Sequence, residues 1–121
     1  MSRVENLNRI LRSLQTSSPD VEACALISED GLIIASALPQ HVDEARVGAM
    51  TATLSSLGVR AATELERGEV QEVLVRGSQG YAAMMNASAG TLLLCLASKQ
   101  AKLGLLFLDM RRAIEDVRKV L

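Results

Sequence analysis

Two segments of this chain are apolar at every position, and they constrain its fold more than any other feature. Residues 23–27 read Ala-Cys-Ala-Leu-Ile and residues 92–97 read Leu-Leu-Leu-Cys-Leu-Ala. Both have the length of a strand, and neither alternates between apolar and polar side chains. Strands of this kind are covered on both faces of their sheet. We therefore predict that these two strands lie in the middle of a sheet.

Turn signals divide the chain into further elements. Five segments have the composition of strands: residues 21–28, 32–38, 69–76, 81–88 and 91–97. Asp30 and Gly31 predict a tight hairpin turn between the first two, because Gly readily adopts a positive φ. Gly80 and Gly90 belong to short links that make the last three strands antiparallel neighbours. With helices at residues 3–14, 43–67 and from about 103, the predicted order is α-β-β-α-β-β-β-α.

The long helix at residues 43–67 has two contrasting sides. Large apolar residues recur at the spacing of a core-facing stripe, and we predict that they face the core: Met50, Leu54, Leu57, Ala61 and Leu65. The other side is small and uncharged where a surface helix would normally carry charges: Ala45, Gly48, Ala52, Ser55, Ser56 and Val59. Gly68 follows the helix as a C-cap residue would.

The small side predicts a protein–protein contact, because small side chains let another backbone approach closely. Two alternatives stay open: burial between two layers of the same domain, or an exposed surface rich in Ala because Ala favours helices. Arg60 is the only charged residue between positions 47 and 63. It is predicted either to be solvated or paired within its own chain, or to contact a partner.

The third strand segment has the pattern of a sheet edge. It mixes polar residues such as Glu69 and Gln71 with the β-branched residues Val73 and Val75. The segment contains neither Pro nor Lys, which discourage pairing at a sheet edge, so we expect it to pair with another chain. The favoured partner is a second copy, since symmetric dimers are the commonest assembly.

Composition excludes several classes of function. Hydrophobic residues make up 49% of the 121 residues, which indicates one packed domain over residues 1–121. Aromatic residues make up only 2%, and 13 basic residues balance 14 acidic ones without a basic stripe, so no nucleic-acid binding is expected. Neither a signal peptide nor an apolar run of membrane-spanning length is present. We expect a cytoplasmic protein without membrane insertion.

Residues for catalysis or metal binding are scarce. His41 is the only histidine, and it lies in a predicted loop, so neither a nucleophile system nor a closed metal site is expected around it. Residues 77–80 lack the P-loop pattern and join two strands, which indicates a tight turn. Cys24 and Cys95 lie in apolar strands and are expected to be buried thiols; a disulfide would require neighbouring strands. No catalytic residue, cofactor or metal is predicted.

The order of the elements, together with three segments, resembles the Roadblock family of dynein light chains and bacterial small-GTPase regulators. The first segment is the hairpin at residues 25–36, Ala-Leu-Ile-Ser-Glu-Asp-Gly-Leu-Ile-Ile-Ala-Ser. The second is the Ala/Leu helix at residues 49–68, which ends in Leu-Glu-Arg-Gly. The third combines residues 91–96 with Leu103-Gly104-Leu105 and the helix that carries Arg111-Arg112. The similarity covers essentially the whole chain.

The resemblance implies an α+β fold: a profilin-like α/β/α sandwich with a five-stranded antiparallel sheet. It also implies a dimer in which the third strands pair and the long helices pack side by side. On this chain, that interface would comprise the small side of the long helix and the segment 69–76. Bacterial members of the family bind a Ras-like GTPase, and some accelerate its GTP hydrolysis without supplying an arginine finger.

Three functional hypotheses follow. The leading one is a non-enzymatic, homodimeric regulator that binds a Ras-like small GTPase and modulates its GTP hydrolysis or nucleotide state. The alternative is a dimeric scaffold or adaptor for signalling or motor complexes without nucleotide dependence. A sensory module with a ligand in its core is the least favoured, because the sequence gives no sign of a sizeable internal pocket.

Overall fold

The chain forms one antiparallel sheet of five strands with helices on both faces. The computed structural model describes residues 2–121. The elements, in order, are α1 (Arg3–Ser17), β1 (Val21–Ser28), β2 (Ile33–Ala37), α2 (Glu44–Glu64), β3 (Val73–Gly77), β4 (Gly80–Ser88), β5 (Thr91–Ser98) and α3 (Leu103–Val120). The strand order is β2-β1-β5-β4-β3, and all neighbours are antiparallel. The predicted order of elements and the α+β, five-stranded antiparallel sheet are confirmed.

The sheet separates two apolar cores. Helices α1 and α3 contact each other and cover one face, where Leu11, Met110 and Leu93 are buried. Helix α2 covers part of the other face, where Ile27 and Leu94 are buried. The apolar strands β1 and β5 lie side by side in the middle of the sheet, as predicted.

Two of the predicted turns depend on glycine. Gly31 has a φ of 91°, and its N–H donates to the Ser28 carbonyl oxygen, so the turn that contains Asp30 closes the β1–β2 hairpin. Gly80 has a φ of 148°, and a Cβ there would overlap the Ala97 carbonyl oxygen. Only a residue without a side chain lets β4 approach β5 this closely at that point.

Two predicted boundaries were wrong. Strand β3 begins at Val73, so Glu69 and Gln71 lie in the connection from α2 and not in the strand. This connection must descend from a helix above the sheet to its edge. Gly68 is also not the capping residue, although its φ is 83°. The left-handed position that ends α2 belongs to Glu66, whose φ is 56°.

Candidate interaction surface

Helix α2 packs against the sheet through its small residues. This is the reverse of the prediction that its large apolar residues face the core. Gly48 and Thr51 are the buried residues of the helix. A Cβ on Gly48 would overlap the Gly31 carbonyl oxygen, and a Cβ on Gly58 would lie 2.5 Å from Val73 Cγ2. Helix and sheet therefore approach each other at two glycines. A bulky side chain at either position would push α2 away from the sheet.

The stripe that was predicted to face the core is largely exposed. Met50 is 52% exposed, Leu57 54% and Leu65 66%. Leu54 alone of the large residues in this stripe packs against the core beneath α2. The prediction was wrong because helical periodicity locates an apolar stripe but does not say whether the protein's own sheet covers it.

The small residues of α2 divide between the sheet and the solvent. Ala52 and Ser55 are half-buried, while Ala45, Ser56 and Val59 are exposed. The burial of Gly48 matches the alternative in which this side packs within the domain. The interface role of the other residues stays a prediction. Arg60 lies 3.5 Å from Glu64 on the next turn, and both side chains are mostly exposed, so Arg60 pairs within its own helix.

Position around the helix shows where the exposed large residues point. At 100° per residue, Met50 and Leu57 lie about 180° from Gly48 and Val59. Gly48 contacts the β1–β2 turn, and Val59 shares a cavity with Asn86, at the same end of the sheet. Met50 and Leu57 therefore project toward the opposite end of that sheet face.

This opposite end of the sheet face is incompletely covered. Val75 of β3 is 43% exposed, and its neighbours on the same face, Ala82 and Leu96, are only half-buried. We call the apolar residues of this region, on α2 and on the sheet, the α2–β3 surface: Met50, Leu54, Leu57, Val73, Val75, Ala82 and Leu96.

Helix packing gives a reason for this exposure. Five strands span about 19 Å from the first to the last, whereas one helix is about 10 Å wide. Within residues 2–121, the two helices α1 and α3 cover one face of the sheet, whereas α2 alone lies on the other face. One face thus lacks a second helix. Strand β3 is also the outermost strand on its side, so one of its edges is unpaired.

The residues weighed for catalysis or metal binding differ in their exposure to solvent. His41 is exposed in the loop before α2. Within residues 2–121, no group of three or more His, Cys, Asp or Glu side chains is placed to hold a metal ion. The thiols of Cys24 and Cys95 are buried and face each other across β1 and β5, as free cysteines. Burial raises the pKa of Cys24 to about 11 and also raises the pKa of Cys95. Both thiols are therefore poor nucleophiles.

The described part of the chain has no helix that combines the length and the apolar character needed to span a membrane. Sequence reasoning missed the roles of Gly58 and Leu57. Gly58 could have been found as a glycine inside a helix that is otherwise rich in Ala, since such a glycine often marks a close approach.

Comparison with known proteins identifies the family. The model of the Roadblock/LC7 domain matches residues 7–97. Two uncharacterised proteins of Methanocaldococcus jannaschii are 31% and 30% identical over 112 residues, which cover 93% of this chain and 96% of each relative. A Roadblock/LC7 domain from Streptomyces avermitilis superposes with a TM-score of 0.85 at 25% identity, covering 93% of this chain and 94% of that one.

A second structural neighbour extends the likeness of the fold. Myxococcus xanthus MglB superposes with a TM-score of 0.87 at 18% identity, over 99% of this chain and 90% of MglB. At this identity, the match concerns the fold alone. The family model and the archaeal relatives carry the assignment. By sequence and by structure, the chain belongs to the Roadblock/LC7 domain family.

Proposed function

We propose that this protein is a homodimeric, non-enzymatic regulator that binds a Ras-like small GTPase and modulates its GTP hydrolysis or nucleotide state. The observation that carries the proposal is the α2–β3 surface, an apolar area next to an unpaired strand edge. A regulatory role also agrees with membership of the Roadblock/LC7 family. Cytoplasmic localisation belongs to the same proposal.

A second copy of the chain would cover the α2–β3 surface and pair with the free edge of β3 at the same time. Its α2 would lie beside the first α2 and supply the missing second helix over Val75 and Leu96. Its β3 would pair with the first β3 and extend the sheet. A two-fold axis allows both contacts, because each copy then offers the same surface to the other.

The chemistry of hydrolysis would remain with the GTPase. The regulator would act by holding the switch regions of the GTPase in one arrangement, which needs contact area but no catalytic group. Arg60 pairs with Glu64, so we do not propose it as an arginine finger. A dimeric scaffold without nucleotide dependence is the competing function.

The dimer is tested by charge placed on either side of α2. We expect Leu57→Arg to give a folded monomer in sedimentation experiments, because an arginine would be buried without a partner in the apolar interface. Leu105→Arg on α3 is the matched control, since Leu57 and Leu105 are both 54% exposed. Val59→Arg tests the small side of the helix. A dimer that survives Leu57→Arg but not Val59→Arg would assign the interface to the small residues.

The GTPase is tested by capture on the immobilised dimer. Lysate of the source organism is loaded with GDP or with a non-hydrolysable GTP analogue, and bound proteins are identified by mass spectrometry. We expect a Ras-like GTPase whose recovery depends on the nucleotide and is lost with Leu57→Arg but not with Leu105→Arg. Recovery of other proteins without nucleotide dependence would favour the scaffold.

A further inference from the structure

A cavity of about 570 Å³ opens at the end of the sheet where the β3–β4 hairpin turns. Its lining comes from two connections that are far apart in sequence: Arg76, Gly77, Ser78 and Tyr81 from the hairpin, and Lys99 and Gln100 from the turn before α3. We call it the hairpin-end cavity. It lies apart from the α2–β3 surface, because Tyr81 packs with the core beneath α1 and α3.

The side chains around this cavity can all donate hydrogen bonds, and none is a carboxylate. Arg76 and Lys99 carry positive charges, while Ser78, Tyr81 and Gln100 supply hydroxyl and amide donors. Within residues 2–121, none of these five side chains has a hydrogen bond or an ion pair to another residue. Donors from two separate turns line one hollow, in which Tyr81 is half-buried and the other four side chains are exposed.

Two carboxylates, those of Asp20 and Glu22, lie near the hairpin-end cavity without lining it. Asp20 accepts a hydrogen bond of 3.0 Å from the Ser98 hydroxyl. Glu22 lines an adjoining cavity, which shares Gly77, Ser78 and Tyr81 with the hairpin-end cavity. Neither carboxylate lines the hairpin-end cavity itself, so the charged side chains in its lining, Arg76 and Lys99, both attract an anion.

We propose that the hairpin-end cavity binds the phosphate group of a small phosphate monoester. Such a group carries a charge of about −1.5 to −2 and three strong acceptor oxygens, which matches two cations and three neutral donors. The volume falls in the usual range for pockets that take small molecules. The site is not a P-loop, since side chains provide the contacts. It goes beyond the proposed function, and it requires neither the dimer nor a GTPase.

Binding is tested with inorganic phosphate and glycerol 2-phosphate, titrated into the ¹⁵N-labelled protein at low ionic strength. We expect saturable shifts of the backbone amides at residues 76–81 and 98–100, and no such shifts with chloride at matched ionic strength. Tyr81 gives a second signal, because it is the only Tyr and the chain has no Trp. Iodide should quench its fluorescence more efficiently than neutral acrylamide, and phosphate should suppress the excess quenching by iodide.

Variants distinguish specific phosphate binding in the hairpin-end cavity from nonspecific attraction by the positive charges of the surface. We expect Arg76→Gln and Lys99→Gln each to weaken phosphate binding by roughly tenfold, since each removes a charge-assisted contact. Lys119→Gln removes the same charge about 25 Å away along α3 and should leave the affinity unchanged. Shifts that stay linear with phosphate, that chloride reproduces, or that Lys119→Gln reduces as much as Lys99→Gln would overturn the proposal.

Discussion

Gly48 lies where α2 approaches the β1–β2 turn, and its replacement by alanine should lower stability, contrary to the usual preference of helices. An alanine inside a helix is ordinarily about 1 kcal/mol more favourable than a glycine. At Gly48, however, the added Cβ would overlap the Gly31 carbonyl oxygen. We expect Gly48→Ala to destabilise the protein by about 1–3 kcal/mol, measured by urea unfolding. Gly104→Ala is the control, because a Cβ at Gly104 meets nothing within 4 Å. That variant should be neutral or stabilising.

Glu66 holds a backbone conformation that glycine adopts more easily. With a φ of 56°, it allows its own N–H to bond to Thr63 O at 3.1 Å and the Arg67 N–H to bond to Ala62 O at 2.7 Å. This is a Schellman ending, in which glycine is the usual residue. We expect Glu66→Gly to raise the free energy of unfolding by about 0.5–1 kcal/mol. Glu64→Gly, inside the last turn of α2, should lower it; if both variants destabilise, the capping argument fails.

At the scale of elements, proline substitutions in β3 test whether the β3 strands of two copies pair. Gly77 and Gly80 flank a two-residue turn, so they form a hydrogen-bonded pair. Along an antiparallel ladder, hydrogen-bonded pairs alternate with non-hydrogen-bonded pairs, and Leu74 belongs to a non-hydrogen-bonded pair. The Leu74 N–H therefore points away from β4. Leu74→Pro removes only this outward donor, and we expect it to raise the dimer dissociation constant at least tenfold, measured by sedimentation. Val75→Pro breaks a bond to β4 and should instead unfold the hairpin. Unchanged dimerisation of a folded Leu74→Pro variant would exclude β3 pairing.

The elements were predictable from local patterns, whereas the orientation of α2 was not. Fully apolar strands placed β1 and β5 correctly, and Asp30-Gly31 placed the first hairpin, because these signals depend on a few adjacent residues. The two sides of α2 required knowledge of what each side touches. Gly48 and Gly58 face the sheet because β3 and the β1–β2 turn lie too close for larger residues. Leu57 is apolar although its own chain leaves it exposed.

At the scale of the whole molecule, the buried thiol of Cys24 makes the stability of the fold depend on pH. Burial raises the pKa of the Cys24 thiol from its ordinary value of 9.0 to about 11 in the folded protein. As the pH rises, the unfolded state therefore loses its proton first. Stability from this group is complete below about pH 9 and falls as the pH approaches 11, by roughly 2 to 3 kcal/mol. Urea unfolding of the wild type and of Cys24→Ala at several pH values checks this. A loss of the same size in both would assign it to other groups.

The two glycine contacts of α2 also have a kinetic consequence. Gly48 and Gly58 are ten residues apart, about 15 Å along the helix, and each fixes α2 against a different part of the sheet. Two separated anchors define both the position and the angle of the helix relative to β3. A partner that docks on these two elements then meets them already positioned by the fold, so docking requires no folding step. Association should follow simple bimolecular kinetics, at rates of about 10⁵–10⁷ M⁻¹s⁻¹.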